Sequence, residues 1–562
     1  MNNAEIDVGV ESSGQAVATF AASSASPASD RRHDLDALRA IAMLLGIVLH
    51  AALSFAPIPW TVQDSQQSDW YYILFAGIHG FRMPLFFLLS GYFTAMLWRK
   101  RGLASLLKHR FKRIFVPLVI GCFTIIPSMW IVSYVASRPS PGSPESSMLF
   151  SAVVAGDVDG VRRTLENSNE GIDELDANSG SSALCTAVFI GHTDVTQLLI
   201  ESGADVNLPN RDLATPLHVA VFMGRANEAA LLIEAGADVT AVDGNQSTPA
   251  DLLKLDFGTT NFIASSLGVP VDEETLLAGR RQIAELLNVS EYLGSSGNDA
   301  QFVNFEGLNG LLFQLPVFMH LWFLWFLCWL VAAFMIYAPI VDRFHLKGVT
   351  YSLALSPVCL CWLIPLTMLP QSFMTAATFG PDSSIGLLPI PSVLAYYAVF
   401  FFFGAIYWDM GDASGQLGRW WFISLPIALL VVFPAGLDLV SGIFGIVPEI
   451  LDEPRRAWGS NLLQATYAWL MAFGTIGLFR RLAYSESRWM RYISDSSYWL
   501  YLIHLPLVIL AQWLVRDWQI PASVKFIAIV VVVSGFLLLT YEYCVRYTLI
   551  GRLLNGPRTR AS

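Results

Sequence analysis

The sequence has few charged residues and few cysteines for its length. Charged residues make up 14% of the 562 residues. An ordinary soluble domain has roughly a quarter, so a single water-soluble globule is excluded. The six cysteines have no paired spacing, which excludes both a disulfide framework and a zinc-binding pattern. The sequence therefore predicts no metal site.

The first 30 residues lack the basic segment, apolar run and cleavage site of a signal peptide. They are rich in Ser and Ala and contain acidic residues. A segment of this composition cannot bury enough apolar surface to fold. We expect residues 1–30 to form a disordered tail.

Acidic charge is concentrated in one internal segment. The whole chain has a net charge of −11, but the stretch from Glu145 to Asp299 contains 24 acidic and 7 basic residues. The rest of the chain is mildly basic and apolar. This contrast indicates an acidic, water-soluble insert within a membrane protein. No nucleic-acid partner is expected.

Long apolar runs make up most of the remaining sequence. A helix needs about 20 apolar residues to cross the hydrocarbon core of a bilayer. About ten runs meet this criterion. They begin near Leu35, Trp70, Ile114, Leu315, Tyr351, Ser392, Trp420, Leu462, Tyr498 and Val524. The predicted fold is an all-α, polytopic membrane helix bundle.

Basic residues predict the orientation, because connections rich in Lys and Arg stay cytoplasmic. Arg31 and Arg32 precede the first run, and the second connection carries seven basic residues between Arg99 and Arg113. We expect a multi-pass protein of the cell membrane, with both termini cytoplasmic and the insert on the outer face. Four basic residues fall on the outer side against the rule: Arg455, Arg456, Arg516 and Lys525.

The insert repeats itself with a period of 33 residues. Two separate motifs share this period: the tripeptides that begin at Ser182, Thr215 and Thr248, and the Gly-Ala-Asp-Val segments that begin at Gly203 and Gly236. The period and its turn residues resemble ankyrin repeats. Flanking helical stretches, near residues 148–165 and 251–287, are expected to cap the open ends of the stack.

An ankyrin stack offers a concave surface to a protein partner, and we expect the insert to bind one. The alternative is a spacer whose residues serve only packing. His218 fits either role, because its place in the repeat predicts a hydrogen bond that stabilises a turn.

Ionisable side chains inside membrane helices are the candidates for chemistry, since each costs roughly 2.5 to 3.5 kcal/mol at the helix centre. Arg39 and His50 are eleven residues apart, which on a helix is about 1100°, or three turns plus about 20°. They therefore share one face, about 16 Å apart along the axis. His50 is a candidate general base. A structural hydrogen bond to a neighbouring helix is the alternative.

Two pairs of side chains recur at helical spacing. His79 and Arg82 in the second run are three residues apart, as are Arg110 and Arg113 in the basic connection. Residues three apart face the same way on a helix. Guanidinium groups at a membrane mouth suit phosphate groups, although orientation by positive charge also accounts for basic residues at this place.

Later runs carry His320 and Trp322 at an outer boundary and His504 inside a span. We expect these three residues to bind substrate. For Trp322, membership of an interfacial aromatic belt is the alternative.

These segments together resemble the acyltransferase-3 family of membrane proteins. The family's opening pattern, Leu-Asp-x-Leu-Arg followed by ten residues and a His, corresponds to Leu35–Arg39 and His50, and its Arg-x-x-Arg pattern to Arg110 and Arg113. The stretches 81–87 and 320–324 look more like the glucan-modifying branch. The resemblance covers residues 32–113 and 320–547, and the ankyrin insert departs from it.

The resemblance implies transfer of an acetyl or succinyl group from a cytoplasmic acyl-CoA, the donor substrate, to a hydroxyl of an envelope carbohydrate. It implies that His50 is the catalytic base, with Arg39 as its electrostatic partner, and that Arg110 and Arg113 bind the phosphates of CoA. A donor such as Arg82 would stabilise the oxyanion that develops on the thioester. Because the ankyrin insert departs from the family pattern, the acceptor can also be a protein-linked or otherwise unusual substrate.

The expected domain boundaries follow from these patterns. They are a disordered tail at 1–30, a first membrane part at 31–140, ankyrin repeats at 145–290, a second membrane part at 308–548 and a cytoplasmic tail at 549–562. Two alternatives to an acyltransferase remain open at this point: a transporter or channel regulated by its ankyrin domain, and an inactive acyltransferase-like scaffold.

The orientation can be tested with a topology reporter inserted near Asn210. Because the charge pattern places the insert on the outer face, we expect the signal of an extracytoplasmic site, with a reporter at the C-terminus as the cytoplasmic control. A cytoplasmic signal near Asn210 would contradict the assignment and favour the transporter alternative.

Overall fold

A computed structural model of the chain shows helices and turns in the part that it describes. That part comprises residues 32–58, 60–136, 148–167, 171–176, 180–210, 212–244, 247–255, 257, 260–261, 264, 269, 271–289, 312–313, 317–343, 355, 357–374, 378–447, 453–483 and 487–556. The expected tail at 1–30 lies outside it. Within these residues there is no β-strand, and the predicted all-α membrane bundle is confirmed.

The helices fall into three groups along the chain. The first group is α1 (His33–Ala52), α2 (Asp69–Arg101), α3 (Leu103–Arg110) and α4 (Val116–Ala136). The insert contains α5 (Met148–Ala155), α6 (Val158–Asn167), α7 (Ala183–Ile190), α8 (Thr193–Glu201), α9 (Pro216–Met223), α10 (Ala226–Glu234) and α11 (Glu273–Leu286). The last group is α12 (Trp322–Arg343), α13 (Leu360–Gln371), α14 (Pro391–Asp409), α15 (Trp421–Ile427), α16 (Phe433–Ser441), α17 (Glu453–Leu482), α18 (Arg488–Val515), α19 (Ala522–Thr540) and α20 (Leu549–Asn555).

Nine helical segments of the described chain are long and apolar enough to cross a membrane. Three of them contain a π turn, at Phe111–Phe115, Ala428–Val432 and Tyr541–Val545. The tenth predicted run, near Tyr351, corresponds to α13, which has only 12 residues. Pro365 and Pro370 lie inside this short helix.

One arginine shows that three helices end on the same side of the bundle. Arg99, near the end of α2, pairs with Asp342 of α12 at 2.7 Å and with Asp409 of α14 at 2.8 Å. Because α12 and α14 therefore run in the same direction, the chain between them must return across the bundle. Helix α13, which is shorter than the nine spans, lies in this part of the chain.

The bundle has two ends, a basic end and an insert end. The basic end is the end that holds Arg99, Arg110 and Arg113. The insert end is the opposite end, where α4 ends at Ala136 and Met319 precedes α12. The insert lies between these two residues in the sequence. The turn after α18 also belongs to the insert end, because Arg516 donates a hydrogen bond to the Ala136 carbonyl over 3.4 Å.

Helices α2 and α14 approach each other closely at two glycines. A Cβ added at Gly91 would lie 1.8 Å from the Phe401 carbonyl oxygen, and one at Gly404 would lie 1.9 Å from the Leu88 carbonyl oxygen. Small residues allow such backbone contact between membrane helices. The contact holds α2, and the site residues on it, in one position.

The insert is built from stacked helix pairs, α5 with α6, α7 with α8, and α9 with α10. Gly191 and Gly224 end the first helix of their pairs in the left-handed conformation, with φ of 94° and 65°. His218 stabilises a turn, as predicted. It accepts a hydrogen bond from the Thr215 backbone N–H at Nδ1 and donates through Nε2 to the Ser247 carbonyl.

The far end of the stack is closed by α11. Its Arg280 is fully buried and donates to the carbonyls of Val221 and Phe222 at 3.2 and 2.7 Å, and to Thr260 Oγ1 at 2.9 Å. These bonds satisfy a guanidinium group that would otherwise be costly to bury.

The cysteine of the insert, Cys185, is buried. Burial raises the pKa of its thiol to about 11, so this cysteine is not a reactive thiolate near neutral pH.

A buried ion pair anchors the loop between α1 and α2. Lys525 Nζ of α19 lies 2.7 Å from Asp64 Oδ2, and both side chains are 1% exposed. The same ammonium group donates to the Arg516 carbonyl over 2.7 Å. The loop at the insert end is thereby tied to the turn between α18 and α19.

We expect Lys525→Met to lower the stability of the folded protein by about 3 to 5 kcal/mol, because it leaves a buried carboxylate without its partner. Thermal unfolding of purified protein in detergent measures the change. The double variant Asp64→Asn, Lys525→Met should recover part of the loss, since no charge stays buried. Equal stability of Lys525→Met and wild type would contradict this account of the loop.

Candidate functional site

The two candidate residues of the first span, Arg39 and His50, both lie against α18. Arg39 Nη2 donates to Ser494 Oγ over 3.1 Å, and the His50 ring lies 5.0 Å from the His504 ring. Ser494 and His504 both belong to α18. Arg39 and His50 therefore face the same helix, one toward the basic end and the other toward the insert end.

The hydrogen bonds of His50 define which ring nitrogen is free. His50 Nδ1 lies 2.7 Å from the Gly46 carbonyl oxygen. Because a carbonyl oxygen only accepts hydrogen bonds, the Nδ1 atom carries the proton and Nε2 carries the lone pair. Nε2 has no hydrogen-bond partner among the described residues. A neutral imidazole in this form presents a base at Nε2.

His504 supports the same arrangement from α18. Its Nδ1 lies 2.9 Å from the Tyr501 carbonyl oxygen, so this atom is also a donor and Nε2 is an acceptor. The Nε2 atom of His504 lies 3.2 Å from His50 Nδ1. The His50 Nδ1–H group therefore donates to two acceptors, the Gly46 carbonyl and His504 Nε2. His504 is 3% exposed. It holds the ring of His50 rather than facing an open surface.

Pro506 explains how a third histidine joins this group. Proline has no backbone N–H, so the carbonyl four residues earlier in α18, that of Leu502, loses its helical partner. His320 Nε2 takes that place at 3.0 Å. The His320 ring lies 6.0 Å from the His504 ring, and the Tyr501 hydroxyl donates to the His320 carbonyl over 2.7 Å.

Arg82 comes from α2 and lies against α1 at Gly46. A Cβ at Gly46 would be 1.9 Å from Arg82 Nη1, so only a glycine leaves room for the guanidinium group. Arg82 Nε is buried and has no hydrogen-bond partner within the described chain. Tyr397 and Tyr501 are its electrostatic neighbours. The result is a half-buried cation beside the turn of helix that carries His50.

Trp322 and His79 lie at the edges of this group. The Trp322 ring packs 5.4 Å from the Tyr397 ring, which itself lies near Arg82. His79 stacks on Phe75 at 5.1 Å and faces the segment around Gly380. His320 and Trp322, which were predicted to lie at an outer boundary, are thus found at the insert end of the bundle.

A second group of cations lies at the basic end. Arg110 Nη2 donates to Thr94 Oγ1 over 2.8 Å, and Arg110 interacts electrostatically with Arg113 and Arg39. Arg113 lies in the π turn that follows α3, where Tyr498 donates to its carbonyl over 2.7 Å. The Nε atoms of Arg39 and Arg110 are buried without a hydrogen-bond partner among the described residues. Three guanidinium groups brought together in this way suit an anionic ligand.

Comparison with known proteins identifies the family. The family model described as "Acyltransferase domain" matches residues 32–151 and 276–541, which is more than half of the chain. The chain belongs to the acyltransferase-3 family. The predicted resemblance is confirmed, as are the ankyrin repeats, whose three-copy model matches residues 149–243.

Curated relatives match a smaller part of this acyltransferase-3 protein. "Glucans biosynthesis protein C" of Escherichia coli strain SMS-3-5 / SECEC is 35% identical over 118 residues. The protein of the same name from Escherichia coli K12 is 34% identical over 118 residues. The alignment covers 21% of this chain and spans 30% of the length of the relatives.

The candidate site contains two residues that sequence reasoning missed, Gln512 and Trp60. Gln512 Nε2 donates to the His50 carbonyl over 2.8 Å, and Trp60 Nε1 donates to Gln512 Oε1 over 2.9 Å. Gln512 lies eight residues after His504, a spacing that places both on one face of α18 and that could have revealed it. Trp60 lies in a loop, where no periodic pattern marks it.

Three histidines close together raise the question of a metal. No group of three or more His, Cys, Asp or Glu side chains within the described residues has a geometry that could hold a metal ion. His320 Nε2 and His504 Nδ1 are occupied by backbone carbonyls. Their arrangement serves hydrogen bonding between helices.

Proposed function

We propose that this protein is a membrane O-acyltransferase that moves an acetyl or succinyl group from a cytoplasmic acyl-CoA to a hydroxyl of an envelope carbohydrate. The observation that carries the proposal is the state of His50. Its Nδ1 proton is held by the Gly46 carbonyl, so its Nε2 is a free base inside a membrane helix bundle. Membership of the family agrees with this chemistry.

His50 and Arg82 supply the chemical step. His50 Nε2 takes the proton of the acceptor hydroxyl while the oxygen attacks the thioester carbonyl carbon. The carbonyl oxygen becomes an oxyanion, and the Arg82 guanidinium, which has an unused buried Nε, stabilises it. The C–S bond then breaks, the proton on His50 passes to the leaving sulfur, and the products are the ester and free CoA.

His504 acts through His50. By accepting from Nδ1, it keeps the proton on that nitrogen and stabilises the positive charge that forms on the ring during the step. We expected His504 to bind substrate. Its burial and its bond to His50 favour a positioning role, with His320 and Trp322 closer to the acceptor.

The donor binds from the basic end. Arg39, Arg110 and Arg113 would contact the phosphates of CoA, since guanidinium groups bind phosphate through paired charge-assisted hydrogen bonds. The buried Nε atoms of Arg39 and Arg110 fit such a ligand. The shared face of α1 leads from these residues to His50.

The acceptor reaches the insert end from the outer side of the cell membrane. The name of the relatives, "Glucans biosynthesis protein C", favours a glucan as the acceptor. With the termini cytoplasmic, the ankyrin domain stands on the outer face, where its concave surface binds a protein partner. This partner can present the acceptor or recruit the protein to the site of its synthesis.

The proposal is tested by incubating membranes with radiolabelled acyl-CoA. Wild type should transfer the label to envelope glycan, and His50→Ala should lower the rate about a hundredfold or more, the usual contribution of a general base. His33→Ala, at the other end of the same helix, is the matched control and should keep the wild-type rate. If folded wild type and His50→Ala label glycan equally, the proposal is wrong and the inactive scaffold is favoured.

Gly46→Ala tests the role of Arg82 without removing a charged group. The new Cβ must displace the guanidinium group, whose flexible end can move without unfolding the helix. We expect transfer to fall about a hundredfold to a thousandfold, in line with the loss of an oxyanion donor, while the protein stays folded. Gly535→Ala, where no atom lies within 4 Å of the added Cβ, should transfer at the wild-type rate. Full activity in Gly46→Ala would rule out this position for the oxyanion donor.

A further inference from the structure

The loop between α1 and α2 places an aromatic side chain beside the base. The Trp60 ring lies 6.2 Å from the His50 ring, and the two planes are inclined by 36°. Trp60 is half-buried at the insert end. Its indole is therefore a large apolar surface beside the imidazole ring of His50.

A buried glutamine fixes the indole in this position. Gln512 is 1% exposed. It accepts from Trp60 Nε1 over 2.9 Å and donates to the His50 carbonyl over 2.8 Å, so one amide joins the tryptophan to the residue that bears the base. A tryptophan that serves only as an interfacial anchor directs its N–H toward water or headgroups. This one directs its N–H into the bundle.

The loop is also held from the other side. Ser54 Oγ donates to the Val62 carbonyl over 2.7 Å, and the Asp64 N–H donates to the Ser54 carbonyl over 2.9 Å. With the Asp64 ion pair to Lys525, these bonds fix both flanks of the segment that carries Trp60. An aromatic surface held in advance binds a ligand without the entropy cost of ordering it.

We propose that Trp60 is the stacking platform for the pyranose ring of the acceptor, and that Gln512 is its positioning residue. This rests on the proposed function. A pyranose presents axial C–H groups on its face and hydroxyl groups at its edge. The electron-rich face of an indole attracts C–H groups, and a ring that lies on it directs an edge hydroxyl toward His50 Nε2.

The platform also accounts for selection among hydroxyl groups. His50 takes a proton from whichever hydroxyl lies within hydrogen-bond reach, and the imidazole itself does not distinguish one from another. A flat surface at a fixed angle to the base limits the orientation of the sugar ring. A flexible polyol without a ring would not use the platform.

The test measures transfer from radiolabelled succinyl-CoA and acetyl-CoA to two acceptors, a glucose hexasaccharide and glycerol. We expect Trp60→Leu to raise KM for the hexasaccharide about tenfold, with KM for acyl-CoA and the rate with glycerol unchanged. Trp60→Phe, which keeps a ring, should raise KM less. Trp518→Leu removes a tryptophan that is 52% exposed at the same end, and should change neither acceptor.

Gln512→Met separates positioning from folding. It should raise KM for the hexasaccharide selectively over glycerol, because Trp60 loses its partner while the side-chain volume is kept. The inference is overturned if Trp60→Leu keeps the wild-type KM for the hexasaccharide, or if both acceptors are affected equally. If wild type transfers label to neither acceptor nor to envelope glycan, the proposed function itself fails.

Discussion

The scarcity of polar groups in the bundle makes each hydrogen bond between helices decisive. In the hydrocarbon core no water is present to form hydrogen bonds, so every N–H and carbonyl group needs a partner within the protein. The hydrogen bond between His50 and His504 meets this requirement inside the candidate site. It joins α1 to α18, and together with the Gly46 carbonyl it keeps the proton of His50 on Nδ1, so that Nε2 bears the lone pair. Removing Pro506 from α18 would return the Leu502 carbonyl to its own helix and release His320 from the group.

The arginines at the basic end of the bundle differ in whether acidic side chains neutralise them. Arg99 is neutralised by Asp342 and Asp409 and serves architecture, since it fixes the ends of three helices. Arg39, Arg110 and Arg113 are close to one another instead, and Asp36 contacts Arg39 at 3.4 Å. A cation cluster of this kind is stable only when water or an anion offsets the repulsion. Arginine thus holds helix ends together at one point of the bundle and forms a cluster of positive charge at another.

Local patterns in the sequence predict much of this structure. Hydrophobic run length identifies the spans, a period of 33 residues identifies the ankyrin repeats, and helical spacing places Arg39 and His50 on one face. Contacts between distant parts of the chain are outside the reach of such patterns. Trp60 and Gln512 are 452 residues apart in sequence, and neither residue has a spacing relation to the other. The apolar run near Tyr351 shows a second limit, because run length predicts a full span there and the helix has only 12 residues.

The length of α2 has a consequence for the behaviour of the protein in lipid. Its 33 residues extend about 50 Å, whereas the hydrocarbon core of a bilayer is about 30 Å thick. The helix must therefore tilt or project beyond the acyl chains. Arg82 and Arg99 both lie on α2, about 26 Å apart along its axis, with Pro84 between them. A membrane of different thickness would change the tilt of α2, so the lipid composition of the host membrane would act on the position of the Arg82 guanidinium group beside Gly46.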